Sequence, residues 1–357
     1  MCYRKIPFRA KAGDSISEEK VIRKVSKGLI IVTGGAGFIG SNIVRALNES
    51  GEENILIVDR LGKADKWKNL LDLKFLDYEH KEDFLVKLER GMFDHGVWAV
   101  FHMGACSSTT EKDADYLMEN NYWFSRRLAS RYAGKKGLRF IYASSAATYG
   151  DGEQGYSDAH ESLTSLRPLN MYGYSKHVFD LWALKTGFLQ NAVGLKYFNV
   201  FGPNEYHKGD MRSVAIRAYF QAKKTGKVKL FKSYRPEYGD GEQCRDFIYV
   251  KDAVKITLHF LEKPEINGIF NAGTGSPRNF RDLASAVFDA LGVEPCIEYI
   301  DMPDGLEKRY QYYTCAQSAK LRNAQFEDEF FTLEAAVKDY VTNYLEKDER
   351  GEVDAGV

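Results

Sequence analysis

Short β-branched runs, each leading into a loop of small or polar residues, predict an α/β protein built on a doubly wound parallel sheet. Three observations carry this. Leu29-Ile30-Ile31-Val32-Thr33 has the pattern of a buried strand and meets Gly34-Gly35-Ala36-Gly37-Phe38-Ile39-Gly40. A helical stripe of Ile39, Ile43, Ala46 and Leu47 follows at once. Further strand runs recur at 54–58, 96–102, 138–143 and 193–198. A strand, a glycine turn and a helix in that order open a Rossmann-type dinucleotide-binding unit.

Each glycine of the turn has a task. Gly34 permits the tight turn, Gly37 lets the backbone approach a pyrophosphate, and Gly40 lets helix and strand pack closely. The helix N-terminus then offers N–H groups and a positive dipole end to the phosphates. The second strand ends at Asp59, where the ribose-binding carboxylate of such units is expected. That acid favours NAD, yet Arg60, Lys66 and Lys81 could hold a 2′-phosphate and favour NADP. The fourth strand runs into Met103-Gly104-Ala105-Cys106-Ser107-Ser108, small residues that suit close approach of a cofactor. Asn120 and Asn121 lie on the helical stretch beyond. His102 reads as packing at the strand end. The fifth strand ends in Ser144-Ser145, a position from which Ser145 can bond a substrate hydroxyl.

Tyr172-Gly173-Tyr174-Ser175-Lys176 then places a phenol and an ammonium one helical turn apart. On its own that spacing ordinarily means nothing. After a glycine turn and a strand-end serine it reads as an acid/base pair, with the cation lowering the phenol's pKa. Asn199-Val200-Phe201-Gly202-Pro203 leaves the sixth strand, and the composition changes there.

The 357 residues suit one and a half to two domains, and 44% apolar content is enough for a full core. The expected partition has an extension at 1–27, with a short helix between Ser15 and Ser26. A cofactor-binding domain covers 28–199, with a returning segment near 248–275. A smaller, interleaved C-terminal substrate lobe covers 200–247 and 276–345, and a polar tail covers 346–357. Zero net charge and a pI near 7.0 argue against a general nucleic-acid or anionic-membrane binder. Five scattered cysteines without CxxC spacing fit a reducing cytoplasm and give no zinc site or disulfide framework. No apolar run reaches membrane-spanning length, and the N-terminus lacks the apolar core of a secretory signal.

The glycine turn, Ser145 and the Tyr172/Lys176 pair resemble an extended short-chain dehydrogenase/reductase acting on nucleotide sugars. Longer strings narrow this. Gly104-Ala105-Cys106-Ser107-Ser108-Thr109-Thr110-Glu111, Tyr142-Ala143-Ser144-Ser145-Ala146-Ala147-Thr148-Tyr149-Gly150 and Tyr197-Phe198-Asn199-Val200-Phe201-Gly202-Pro203 are three of them. With His207-Lys208-Gly209, Arg245-Asp246-Phe247 and Lys308-Arg309-Tyr310-Gln311, they resemble the ADP-L-glycero-D-manno-heptose 6-epimerase family over residues 28 to 345.

The resemblance implies an isomerase that makes activated heptose for lipopolysaccharide inner core. It implies a cytoplasmic homo-oligomer, typically a pentamer, with no membrane or nucleic-acid partner and no metal. Phe38, Ile39, Asp59, Arg60, Lys66, Lys81, Met103 to Ser107, Asn120, Lys176, Val200 and Lys208 would line an NADP site. Asn199, Phe231, Lys232, Ser233, Tyr234, Arg245 and Tyr310 would surround the ADP-sugar, with Asp210 and Arg217 at further substrate positions. Tyr172 and Lys208 match the two proton acceptors. The chain departs from the family at Met103 (often Glu), Asp210 (a small polar residue), Arg217 (often His) and a longer loop at 235–244.

The chemistry expected is oxidation and re-reduction. A carbinol C–H is not acidic, so inversion at C6″ needs hydride loss to bound NADP and return to the other face. The oxygen's proton is then handled from two directions, by Tyr172 and Lys208, with Ser145 orienting the hydroxyl. A UDP-hexose 4-epimerase is the nearest alternative, and a non-catalytic dinucleotide sensor an alternative of another class. Ala146-Ala147-Thr148 stands where a 4,6-dehydratase needs an acid pair.

Overall fold

The computed structural model describes residues 28–307 and 310–347. The expected extension with its short helix, the Lys308-Arg309 pair and the end of the tail lie outside the described residues. In order come β1 (Leu29–Thr33), α1 (Phe38–Glu49), β2 (Ile55–Asp59), β3 (Asp77–His80), α2 (Lys81–Glu89), β4 (Val97–His102), α3 (Ala114–Leu117) and α4 (Phe124–Tyr132). They are followed by β5 (Arg139–Ser145), α5 (Met171–Lys185) and β6 (Ala192–Tyr197). Then come β7 (Asn199–Phe201), α6 (Val214–Thr225), β8 (Val228–Phe231), β9 (Cys244–Arg245), β10 (Phe247–Tyr249), α7 (Val250–Glu262) and β11 (Gly268–Ala272). The last are β12 (Arg278–Asn279), α8 (Phe280–Leu291), β13 (Ile297–Ile300), α9 (Ala319–Asn323) and α10 (Leu333–Tyr340).

Seven strands form one parallel sheet in the order β3-β2-β1-β4-β5-β6-β11. The order reverses between β1 and β4, and the C-terminal ends of strands at such a switch point form a ligand crevice. Burial on both faces explains the unbroken apolar runs. Ile30 and Val32 point to the face packed by Ile43, Val44 and Leu47 of α1 and by Ile256 of α7. Ile31, between them, points to the face packed by Phe124 and Leu128 of α4 and Phe179 of α5. All three β1 side chains are fully buried, and each contributes roughly 1.5–3 kcal/mol of hydrophobic burial.

Strand β3 escapes the sequence reading because Asp77-Tyr78-Glu79-His80 holds no apolar run. It is the sheet edge, where polar and charged side chains suit a half-exposed strand. Outside the sheet, β7 pairs with β10, β9 with β12 and β8 with β13. Helices α6, α8 and α10 pack on one another beside these ladders.

Candidate active site

The switch point is built by backbone approach. Thr33 and His102 are partners in the β1–β4 register, so the loops leaving both strands meet. Met103 N donates to Thr33 O at 3.1 Å and Gly104 N to Thr33 Oγ1 at 3.1 Å. Gly34 has φ +68°, and a Cβ there would lie 2.7 Å from Gly104 N. A Cβ on Gly40 would lie 2.1 Å from Gly34 O. Only glycine allows these approaches. The first turn of α1 has no acidic side chain and no side-chain cap at Gly37. Its N–H groups and the dipole end therefore face the crevice without a competing anion, which fits a diphosphate.

At the end of β2, Asp59 is engaged on both oxygens. Oδ2 accepts from Ala36 N at 2.9 Å, and Oδ1 from Arg60 N at 2.7 Å and Lys66 Nζ at 2.6 Å. Arg60 is exposed beside this pair. Lys81, at the start of α2, donates to Asn120 Oδ1 at 2.6 Å, and burial lowers its pKa. Asn120 and its neighbour Asn121 lie in a π-helical turn, Met118–Trp123, between α3 and α4. Such turns are frequent at functional sites. Asn121 is fully buried. It accepts from Cys106 N at 2.8 Å and donates to Cys106 O at 2.9 Å and Ser175 Oγ at 2.9 Å. It thereby fixes the Met103–Ser107 loop to α5, a role the sequence reading did not give it. His102 is buried between Thr33 Oγ1 and Ser125 Oγ, both at 2.7 Å, and burial holds it well below the ordinary histidine range.

Ser145 ends β5 and caps the 3₁₀ turn Ala146–Tyr149, its Oγ accepting from Ala147 N at 3.1 Å. Asn170 caps α5 through a 2.8 Å bond from Gly173 N. A Cβ on Gly173 would lie 2.6 Å from Ala147 O, so this glycine lets the helix close on the serine turn. Tyr172 is thereby brought beside Ser145, close enough for the serine hydroxyl to act on the phenol. The expected tuning of Tyr172 by Lys176 is not what the geometry gives. Lys176 Nζ donates to Ala143 O at 2.8 Å. Burial raises Tyr172 above its ordinary value and the neighbouring Ser145 hydroxyl opposes that rise, so the phenol keeps its proton at rest. Lys176 itself is drawn down to about 8 by burial.

Beyond β6, Asn199 and Val200 lie on β7, with Asn199 exposed. Lys208 lies on the 3₁₀ turn Tyr206–Met211, with Nζ 5.3 Å from the centre of the Phe38 ring. Its loop is fastened to the glycine turn. Asn42 Nδ2 donates to Pro203 O at 3.0 Å, and Asn204 Nδ2 to Ser41 Oγ at 3.0 Å. Asn69 Nδ2 bridges Ala36 O and Asn204 O at 3.0 and 3.1 Å. Burial lowers Lys208, while the buried Glu205 opposes that shift. Lys208 is thus brought beside Phe38 and the glycine turn, and burial makes its neutral amine form easier to reach. Sequence reasoning found Lys208 but not the asparagines, whose partners lie up to 163 residues away.

Arg245 is buried between aromatic rings, 5.1 Å from the centre of Tyr310 and 5.4 Å from that of Phe280. Phe231 meets Tyr310 edge-on at 6.2 Å. Arg217, exposed on α6, lies close enough for its charge to act on the Tyr310 phenol. Lys232 and Tyr234 turn toward Asp301, at 3.2 Å each, and Ser233 Oγ bonds Arg235 O at 2.9 Å. Asp210 is exposed. These groups make an aromatic and cationic wall suited to a nucleoside diphosphate. The longer loop contributes to it, with Arg235 stacked 4.7 Å over Tyr312. Among the described residues no group of three or more His, Cys, Asp or Glu could hold a metal ion, and no helix is long and apolar enough to cross a membrane.

Comparison with known proteins agrees with this geometry. Residues 30–273 match the model of the NAD dependent epimerase/dehydratase family. An ADP-L-glycero-D-manno-heptose-6-epimerase of Nitratidesulfovibrio vulgaris is 53% identical over 317 residues, 89% of this chain and 98% of that protein. One from Fusobacterium nucleatum is 48% identical over 330 residues, covering 90% and 99%. The crystal structure of the Helicobacter pylori ADP-L-glycero-D-manno-heptose-6-epimerase superposes with a TM-score of 0.74 at 28% identity, covering 89% of this chain and 96% of that one. A family match that runs from β1 to just past β11, joined by relatives about half identical along nine-tenths of the chain, makes this protein a member of the NAD dependent epimerase/dehydratase family.

Proposed function

We propose that the chain inverts C6″ of ADP-D-glycero-D-manno-heptose to give ADP-L-glycero-D-manno-heptose, using a resident NADP. When bound, the nicotinamide supplies a reversible hydride acceptor for a carbinol C–H that no base could remove. The observation that carries the reading is the placement of two candidate proton-handling groups on elements that border the switch point. Tyr172 comes from α5 beside Ser145, and Lys208 from the loop fastened to the glycine turn. Inversion needs the oxygen's proton taken and returned with the substrate presented in two senses, which one base serves poorly. Ser145 orients the hydroxyl, Tyr172 exchanges its proton, and Lys208, lowered by burial, serves the other presentation.

Arg60 and Lys66 at the end of β2 support NADP over NAD, since Lys66 already occupies Asp59 Oδ1. The wall of Arg245, Tyr310 and Phe231 receives the ADP moiety, and the ladders and helices outside the sheet form the substrate lobe. The product would be the activated heptose of lipopolysaccharide inner core, made in the cytoplasm by a homo-oligomer.

Proton NMR of ADP-D-glycero-D-manno-heptose with the purified protein tests this, with inversion at C6″ expected. Inert ADP-heptose together with turnover of a UDP-hexose would sink the assignment. Tyr172→Phe and Lys208→Met should each stop inversion with the cofactor still bound. Near-full activity in Lys208→Met would exclude the two-base scheme. Mass spectrometry of the cofactor released on denaturation decides NADP, and finding NAD alone would overturn that preference.

A further inference from the structure

One buried ion pair beneath the site has no part in the chemistry above. Asp180 and Lys196 meet at 2.8 Å, and both side chains are completely buried. Asp180 stands on α5 one turn after Lys176. Its Oδ2 also accepts from Ser144 Oγ at 2.7 Å and its Oδ1 from Tyr142 OH at 3.0 Å. Lys196, from β6, donates to Thr148 Oγ1 at 2.6 Å, and Thr148 Oγ1 donates to Ser145 O at 2.8 Å. The Lys196 ammonium also lies 5.1 Å from the centre of the Tyr149 ring. Thus β5, β6, the serine turn and α5 are tied at one point. Buried pairs of this kind are weak stabilisers compared with apolar side chains of the same volume, so stability alone does not account for it.

We propose that Asp180 and Lys196 are positioning residues that hold Ser145 and the Tyr172–Lys176 face of α5 in working register. The pair reaches Ser145 through Thr148 on one side and through the adjacent Ser144 on the other. It reaches Lys176 through the helix itself. The inference goes beyond the choice of substrate and rests only on the epimerase reading of the site.

The pair also has an electrostatic consequence. Asp180 raises the Lys176 ammonium against the effect of burial. The other groups around this pair are Tyr142 and Ser144 of β5, Tyr149 and Thr148 of the serine turn, Asp158 and His160 of the segment after that turn, and His177 of α5. Lys176 further faces His102 of β4 and Cys106 of the adjoining loop.

The test uses Asp180→Asn/Lys196→Met, which removes both charges together, and Thr148→Val, which removes the hydroxyl joining Lys196 to Ser145 and leaves the ion pair in place. The double variant should keep its cofactor and fold, lose about a hundredfold in kcat with little change in KM, and leave its alkaline activity limb within about half a unit, because the two opposite charges removed offset each other at Lys176. Thr148→Val should lose about tenfold in kcat with the limb unmoved. Lys196→Arg, which keeps the cation, should retain most of the activity. A folded double variant with wild-type kcat overturns the proposal. If the double variant does not fold, Thr148→Val decides, and wild-type kcat there overturns it. Profiles are measured on whichever nucleotide sugar the wild type turns over. Inertness of the wild type toward ADP-heptose therefore tells against the substrate assignment and not against this role.

Discussion

Replacing Lys176 by Met removes a cation that the fold holds at some expense, and the size of that effect follows from its burial. Lys176 is 4% exposed, and burial draws its ammonium from 10.5 to about 8. Below pH 8 both folded and unfolded chains hold the proton, and the folded chain bears the whole desolvation penalty. Between about 8 and 10.5 the folded chain releases it first. The unfolded chain then binds more protons, so stability rises with pH across that window. The gap corresponds to ~3 kcal/mol, of which about 2 kcal/mol falls between pH 7 and 9.5. Lys176→Met lacks this pH dependence and loses one charged hydrogen bond, to Ala143 O, worth about 1.5–3 kcal/mol. At pH 7 the two effects nearly offset, so an inactive variant about as stable as the wild type is expected. Urea unfolding of the two cofactor-stripped proteins, read as a difference, cancels every titration they share. That difference should move by about 2 kcal/mol in favour of the wild type from pH 7 to 9.5. A difference constant to within about 0.5 kcal/mol would show that Lys176 is not held against desolvation.

Three further outcomes follow from the geometry. Gly40→Ala would put a Cβ 2.1 Å from Gly34 O, so α1 must back away from the diphosphate and cofactor affinity should fall about a hundredfold by calorimetric titration. Gly51→Ala, with φ +84° and nothing within 4 Å, is its control, with about 1 kcal/mol lost in stability and the cofactor retained. Removing Arg60 and Lys66 together, as Ala, should lower the ratio of NADP to NAD affinity by about tenfold or more, and an unchanged ratio would show that neither holds a 2′-phosphate. Arg245→Met should raise KM for the nucleotide sugar by about tenfold to a hundredfold with a smaller effect on kcat, measured by initial rates, and an unchanged KM would exclude a diphosphate contact.

What could be read from the sequence was set by how local each requirement is. The glycine turn is legible because Gly37 and Gly40 answer the nearby Gly34 carbonyl, and the spacing of all three glycines is fixed within seven residues even though Gly34 itself meets Gly104. The apolar strands are legible because both faces of each are buried, so their composition needs no partner to interpret. Strand β3 is not, because this half-exposed edge strand carries no apolar run, unlike the buried edge strand β11. The fastening of the Lys208 loop is not, because Asn42, Asn69 and Asn204 each bond a segment far away in sequence, and an asparagine in a loop looks the same with or without such a partner. The relation of Lys176 to Tyr172 was misread for a different reason. Helical spacing places the two on one face, but the ammonium finds the Ala143 carbonyl, and a periodicity cannot say which acceptor a long side chain will reach.

That misreading bears on how the site works. A phenol raised by burial beside Ser145 holds its proton at neutral pH, and an ammonium drawn to about 8 is close to losing its own. Both groups are displaced from their ordinary values toward the neutral form, as burial without a close counter-charge requires. Asp180 is the nearest correction on the Lys176 side, and it is itself neutralised by Lys196. The surroundings of Tyr172 and Lys176 are therefore of low dielectric, with the nearest balanced ion pair lying beneath them. In such surroundings a charge carried in with a ligand is weakly screened and acts strongly on Tyr172 and Lys176. The sequence displays the Tyr-Lys pair as the source of reactivity. The geometry makes the pair a responsive element, poised by burial and set in place by groups that bear no motif at all.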